Sequence, residues 1–265
     1  MINTLLLPEL RQMLAENDTA ELREFCTALH PANTAEFMEG LSPEDSWRVL
    51  EHAEPSLRAE IFQYLDDAKQ LEIISKQDRA GIAQLLTTLA ADDRVDLLEQ
   101  VDAAIVAELL PLLPADERKE TLRLSAYEEG TAGAVMTTEV ARLAESLTVE
   151  QALRELRSQA EHLETIYYIF VVDDQQHLRG VVSCRKLVAS MGRPNLKLGD
   201  LMETQLVHAQ VDEDQEEVAE KVARYDLLAI PVVDEQHRLV GIITHDDGID
   251  VVREEAVEDA QRIGG

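Results

Sequence analysis

The chain has 265 residues, of which 45% are apolar but only 4% aromatic, and 24 Lys and Arg against 53 Asp and Glu give a formal net charge of −29. This length suits two or three compact units with cores built mainly from Leu, Val, Ile and Ala. The acidity disfavours free nucleic acid and anionic membrane surfaces as partners and favours cations, although a merely solvated acidic surface would have the same composition.

The sequence shows no signal for secretion, membrane insertion or a disulfide framework. It has no positively charged leader and no apolar run of about 18 residues. Its two cysteines, Cys26 and Cys184, form no closely spaced pair. We therefore expect a soluble chain in the reducing cytoplasm.

Residues 4 to about 125 read as a series of short helices, because apolar residues recur at i, i+3 and i+4. Pro31, Pro43 and Pro55 stand twelve residues apart, and proline is well tolerated in the first turn of a helix. Further helix starts are predicted at Asp66-Asp67, Asp78, Asp92-Asp93, Asp102 and Pro114. Helices this short are marginal alone, so the pattern predicts an α-solenoid or superhelix in which they stack.

Near residue 125 the pattern changes to short β-rich runs that alternate with helical ones. Val171–Ser183 aligns without a gap on Val232–Thr244, so that Gly180 and Gly241 are sixty-one residues apart. Each repeat opens with a related tetrapeptide, Val-Met-Thr-Thr at 135–138 and Leu-Met-Glu-Thr at 201–204. This order, β-α-β-β-α twice, resembles a tandem CBS pair, also called a Bateman module.

The whole chain resembles the cytosolic part of the MgtE family of magnesium transporters. The strings that carry the resemblance are Ala126–Met136, Glu164–Tyr168, Asp214–Ala219, Tyr225-Asp226 and Glu254–Asp259. The implied fold is α plus α/β: an all-helical, solenoid-like superhelix followed by a tandem CBS module and the start of a connecting plug helix. The expected domains are residues 1–130, the CBS repeats 131–198 and 199–252, and plug residues 253–265.

The resemblance also implies a function. The chain would be the Mg²⁺-sensing regulatory region of a transporter, a homodimer through its CBS pair, on the cytoplasmic face of the inner or plasma membrane. A transmembrane pore domain would follow it, and the chain itself would not transport ions. Bound Mg²⁺ would bridge acids of the helical domain, the CBS pair and the plug, and close the pore when cytosolic Mg²⁺ is high. No catalytic motif is found, so we expect no enzyme activity.

The spacing of the acids, taken by itself, fits either cation binding or a solvated acidic surface. Asp92 and Asp96 are four residues apart, as are Asp246 and Asp250. Like charges at this spacing destabilise a helix by about 0.2–0.5 kcal/mol per pair, so either a cation is bound or the repulsion is tolerated. Mg²⁺ suits carboxylate ligands and keeps several waters, and Ca²⁺ or Mn²⁺ would use similar ligands. The seven histidines are scattered without the spacing of zinc ligands.

The resemblance places the family's ion ligands on both halves of the chain. These positions are Glu60, Asp92, Asp96, Gly133, Asp214, Glu216, Ala223, Asp226, Asp247, Asp250, Glu255, Glu258 and Asp259. Gly133 and Ala223 would offer backbone carbonyl oxygens, and the match of Glu60 rests on spacing alone.

Adenine nucleotide is a second expected ligand, because CBS pairs often hold it between the repeats. The ribose-binding pattern of Ser or Thr followed three residues later by Asp occurs once, from Thr244 to Asp247. The first repeat has Lys186 at that carboxylate position, where it would meet a phosphate instead. Tyr168 is either a wall of this site or a core aromatic. The alternative function is a stand-alone nucleotide sensor whose helical arm docks a partner protein, and a passive helical scaffold would bind neither ligand.

Overall fold

The structure is a computed structural model that describes residues 6–160 and 163–253. The chain divides into a helical unit up to Thr121 and a second, mixed unit from Leu122 onward, to which Ala90–Asp92 also belong. The expected fold class, a helical domain followed by a CBS pair, is confirmed. No helix in the described part of the chain is long and apolar enough to cross a membrane.

The helical unit is built on a twelve-residue step. Its helices are α1 Leu7–Glu16, α2 Thr19–Ala28, α3 Pro31–Met38, α4 Pro43–Leu50, α5 Pro55–Gln63, α6 Asp67–Lys76, α7 Arg79–Thr88, α8 Ala91–Glu99, α9 Ala103–Leu109 and α10 Ala115–Leu124, with a 3-10 turn at Leu110–Leu112. Each of these helices begins twelve residues after the one before it. The spacing read from three prolines therefore extends over the whole unit.

The residue before each helix commonly supplies the N-terminal cap. Asp18, Ser42, Asp66, Asp78 and Asp102 each accept a hydrogen bond from a backbone N–H of the first turn. An oxygen at this position pairs one of the four N–H groups that a helix start leaves without a partner. The caps explain why helices of at most ten residues begin at defined positions.

At the ends of α4, α5 and α7 the C-terminal carbonyls are paired by a side chain from the next helix. Gln70, the fourth residue of α6, donates to the carbonyls of Phe62, Gln63 and Leu65 at 3.1, 3.1 and 2.9 Å. Arg58, the fourth residue of α5, reaches the carbonyls at the same three offsets in and after α4. A long side-chain donor at this position thus pairs the C-terminal carbonyls that glycine-containing caps pair in other helices.

Arg94, the fourth residue of α8, extends this arrangement to a third helix. Its buried guanidinium donates to the carbonyls of Leu86 and Leu89 at 3.2 and 3.4 Å. It also forms an ion pair with Glu117 at 2.8 Å and a hydrogen bond to the hydroxyl of Thr121 at 2.9 Å. A buried charge is tolerated only when it is paired in this way, so Arg94 ties α7, α8 and α10 together.

The second unit contains two equivalent three-stranded sheets, each with a parallel pair and an antiparallel pair. The strands are β1 Val140–Ala144, β2 Thr165–Val172, β3 Leu178–Ser183, β4 Ala209–Gln210, β5 Ala229–Val233 and β6 Leu239–Thr244. The helices are α11 Val149–Gln159, α12 Cys184–Ala189, α13 Leu198–Leu201, α14 Gln215–Arg224 and α15, residues 245–253. The predicted duplication of β-α-β-β-α is present, with the short α13 as an addition to it.

Each repeat opens with a segment that pairs with the last strand of the other repeat. Thr137 exchanges two backbone hydrogen bonds of 2.9 Å with Ile242 of β6, and Glu203 exchanges two of 2.9 Å with Val181 of β3. Gly241 and Gly180, which precede Ile242 and Val181, permit the two backbones to approach this closely. A Cβ on Gly241 would lie 2.6 Å from the carbonyl oxygen of Thr137, well inside van der Waals contact. The crossed openings therefore make the two repeats one folding unit.

Gln70→Met is expected to lower the free energy of unfolding by about 1–3 kcal/mol, because three carbonyls, two of them partly buried, lose their donor. Urea denaturation followed by circular dichroism measures it. The matched control is Gln84→Met on the exposed face of α7, which we expect to stay within about 0.5 kcal/mol of the native chain. Equal effects of both substitutions would contradict the capping role.

Gly241→Ala is expected to destabilise the second unit by about 1–3 kcal/mol, because the added methyl group overlaps the carbonyl of Thr137. Gly192→Ala is the control, since a Cβ there meets nothing within 4 Å. Thermal denaturation of both variants tests the prediction. A melting temperature of Gly241→Ala equal to that of Gly192→Ala would refute the close approach.

Candidate cation and nucleotide sites

The acids predicted as ligands among helices α1–α10 lie on two of them. Glu60 is exposed on α5, and Asp92 and Asp96 lie one turn apart on α8. Asp92 is 6% exposed, whereas Asp96 is exposed. Between them Arg94 is anchored to α7 and α10. That anchor fixes the rotation of α8 and hence the direction in which Asp96 projects.

The linker glycine and the start of α14 lie side by side. Gly133 donates its N–H to the carbonyl of Val211 at 2.8 Å, and Thr131 forms a β-bridge with Asp214. Asp214 is the N-cap of α14, where it accepts the N–H of Glu216 at 2.9 Å. One carboxylate oxygen of Asp214 is thus engaged in capping, and Glu216 is an exposed residue of the first turn.

The C-terminal end of α14 brings Ala223 and Asp226 together. The carbonyl of Ala223 accepts the N–H of Asp226 at 3.4 Å, a long bond that competes weakly with a ligand. Asp226 is exposed and has φ +52°, a left-handed conformation that turns the chain away from the helix. Helix C-termini carry partial negative charge, so this end attracts cations, although Lys221 and Arg224 in the last turn offset part of it.

In the second-repeat corner, residues 244–247, two carboxylates lie beside the hydroxyl of Thr244. The hydroxyl of Thr244 donates to Asp246 at 2.6 Å, and its backbone N–H donates to Asp247 at 3.0 Å. Burial raises the pKa of Asp247 above its ordinary value, and the charges of Asp246 and Asp250 act in the same direction. A bound cation would oppose that shift. Asp250 itself is exposed and paired with Arg253 at 3.1 Å.

The first-repeat corner consists of residues 168, 183–186 and 203. Ser183 lies opposite Tyr168 in the antiparallel pair and accepts the N–H of Lys186 at 3.2 Å. The ammonium of Lys186 forms an ion pair of 3.2 Å with Glu203. Tyr168 is half-buried and packs edge-on against Phe170, with ring centroids 6.4 Å apart. Lys186, the residue predicted to bind a phosphate, is therefore already paired with a carboxylate.

Several predicted ligands remain apart. Among the residues that the structure describes, no three His, Cys, Asp or Glu side chains are close enough to hold one metal ion. Glu255, Glu258 and Asp259 lie outside the described residues. Thr244, Asp246 and Asp247 form one cluster, Gly133 lies beside the Asp214 segment, and Ala223 lies beside Asp226.

Sequence reasoning missed two groups of residues. His208 and His237 meet edge-on with ring centroids 5.0 Å apart. The pKa of His208 is lowered mainly by burial and, to a smaller extent, by the charge of His237. No local spacing could reveal two histidines that meet through the fold. Glu203 was also missed as the partner of Lys186, although its place in the second opening tetrapeptide was visible.

Comparison with known proteins gives a consistent result over the chain. The family model described as the MgtE intracellular N domain matches residues 29–130, and the CBS domain model matches residues 132–193 and 198–254. A crystal structure of the soluble part of a magnesium transporter is 34% identical, covers 94% of this chain and 97% of its own, and has a TM-score of 0.85. A crystal structure of the cytosolic domain of the Mg²⁺ channel MgtE in complex with ATP is 38% identical, covers 91% and 98%, and has the same TM-score of 0.85.

Curated relatives agree. The magnesium transporter MgtE of Thermus thermophilus is 46% identical over 145 residues, which are 55% of this chain and 32% of that protein. That of Bacillus subtilis is 41% identical over 193 residues, which are 73% of this chain and 42% of that protein. The matched region thus spans less than half the length of these relatives. The chain belongs to the MgtE family, whose N domain and CBS pair it contains.

Proposed function

We propose that this chain is the Mg²⁺-sensing regulatory region of a magnesium transporter, on the cytoplasmic face of the membrane. The observation that carries the proposal is the similarity over 94% of the chain to the soluble part of a magnesium transporter. The net charge of −29 supports it, because a chain this acidic gains most from a divalent cation.

The proposed mechanism is relief of repulsion. Acids of the helical unit, among them Asp96, and acids of the second unit, among them Asp226 and Asp250, repel one another when no cation is bound. Mg²⁺ would draw these acids and those of the plug together, taking one or two carboxylates from each side and keeping its remaining waters. Because Mg²⁺ binds the compact state more tightly, it shifts the population toward that state. In a full transporter this compaction would close the pore at high cytosolic Mg²⁺.

Small-angle scattering tests the mechanism. Adding Mg²⁺ to the chain is expected to reduce its radius of gyration, and the double substitution Asp226→Asn with Asp250→Asn is expected to abolish that response. The control with the same change of charge is Asp67→Asn with Asp174→Asn, two exposed acids outside the candidate set. An unchanged radius of gyration together with no heat on titration of the native chain would overturn the proposal.

We also propose that the CBS pair forms a homodimer through an apolar strip that occurs once in each repeat. Tyr167, Val188 and Met191 are exposed in the first repeat, and Leu228, Ile249 and Val252 are exposed in the second. The three pairs are each sixty-one residues apart, so the strip is duplicated by the same repeat as the sheets. Exposed apolar side chains commonly mark interfaces, and a duplicated strip fits the self-complementary interface of a two-fold dimer.

Replacing one residue of each strip, Met191→Glu with Val252→Glu, is expected to convert the dimer to a monomer, because two charges would be buried at the interface in each subunit. Light scattering after gel filtration would give a mass falling from twice the chain mass to 29.6 kDa. Leu112→Glu, an equally exposed position in the helical unit, is the control and should stay dimeric. A native chain that is monomeric at all concentrations would contradict the proposal.

A second proposed function is binding of adenine nucleotide at the first-repeat corner. A structure that is 38% identical to this chain holds ATP. In this chain Tyr168 provides an aromatic wall, and Arg185 and Lys186 provide two cations for phosphate. The second-repeat corner keeps the ribose-binding pattern from Thr244 to Asp247. It has Ala229 and Asp246 in place of Tyr168 and Arg185, however, and these suit neither stacking nor phosphate. We therefore assign the nucleotide to the first repeat alone.

A further inference from the structure

We propose that Glu203 acts as an internal counterion at the first-repeat corner. An anionic ligand would have to displace its carboxylate from Lys186, and Glu203 would thereby set how strongly the corner discriminates by ligand charge. The inference rests on the nucleotide binding proposed above and identifies a residue that determines its specificity.

The first observation is an inversion of charge between the two repeats. Ser183 and Thr244 occupy equivalent positions before the helix that follows. The hydroxyl of Ser183 accepts the N–H of Lys186, whereas the hydroxyl and the N–H of Thr244 donate to Asp246 and Asp247. The residues two and three positions later are Arg185 and Lys186 in the first repeat but Asp246 and Asp247 in the second. The duplicated scaffold therefore carries two positive groups at one corner and two negative groups at the other. Only the first corner attracts phosphate.

The second observation is that the acid comes from the opposite repeat and is held in place by its backbone. Glu203 exchanges two hydrogen bonds of 2.9 Å with Val181, and its carbonyl would lie 2.7 Å from a Cβ on Gly180. At the equivalent place in the other repeat stands Thr137, which carries no charge. A counterion is thus present where the corner is cationic and absent where it is anionic. The side chain of Glu203 can move while its backbone stays paired.

The third observation is that the ion pair is weak enough to be displaced. The side chains of Lys186 and Glu203 are 38% and 70% exposed, and solvent screening makes ion pairs in such positions weak. Arg185 is exposed and has no ion-pair partner among the described residues. A ligand with several negative charges would engage both cations and more than offset the loss of Glu203. A neutral nucleoside would gain nothing from displacing it.

The test is calorimetric titration of the full chain with ATP and with adenosine, in low salt with a chelator so that no divalent cation contributes. Glu203→Gln is expected to tighten ATP binding by about two- to fivefold, because ATP no longer competes with a carboxylate. Adenosine affinity should not change. In the Lys186→Gln background the same substitution should have a much smaller effect, and added salt should reduce the gain in the single variant. Glu235→Gln, an exposed turn residue, controls for the change in net charge.

The outcomes separate this inference from the proposals it depends on. Equal ATP affinity of the native chain and Glu203→Gln would overturn the role of Glu203 and leave nucleotide binding intact. An equal gain for Glu235→Gln, or an equal gain for adenosine, would also overturn it. Failure of both the native chain and Glu203→Gln to bind ATP would remove nucleotide binding as well. The Mg²⁺-induced compaction is measured without nucleotide and is independent of all these results.

Discussion

A helix of ten residues leaves four of its backbone carbonyls without a helical partner, and the helical unit depends on how those carbonyls are paired. At the ends of α4, α5 and α7 the solution is a long donor at the fourth residue of the next helix: Arg58, Gln70 and Arg94. The donor satisfies the end of one helix and at the same time sets the position of the following one. At these ends the pairing fixes the offset between the end of one helix and the fourth residue of the next, and it places acidic α8 against α7.

Arg94 both pairs the end of the preceding helix and connects α8 to α10. Its guanidinium pairs carbonyls at the end of α7, as its position requires, and the donors that remain bind Glu117 and Thr121 of α10. The acids at 92 and 96 therefore stand on a helix whose rotation is fixed from both sides. In the second unit, the duplicated β-α-β-β-α scaffold holds two equivalent corners in place. The charged residues at these corners have opposite signs: Arg185 and Lys186 in the first, Asp246 and Asp247 in the second.

Much of this could be predicted from sequence, for identifiable physical reasons. Proline and aspartate mark helix starts through strictly local chemistry, so the step was visible at Pro31, Pro43 and Pro55. The carbonyl donors were not, because glutamine and arginine perform the same role and share no obvious pattern. Lys186 was recognised as a departure from a motif, but its partner Glu203 comes from the other repeat, where only the fold determines proximity. Ala223 and Asp226 were predicted together and do lie together, since both belong to one helix end.

The twelve-residue step restricts how the helical unit can change its length. Inserting one residue between Leu65 and Gln70, for example, would rotate Gln70 by about 100° about the helix axis and move it off the carbonyls of α5 that it pairs. Inserting twelve residues at a helix boundary would add one complete helix with its own cap and its own donor, and would leave the others in register. The unit should therefore tolerate growth or shortening in whole helices, and the length of the arm that carries the acids can vary only in such increments.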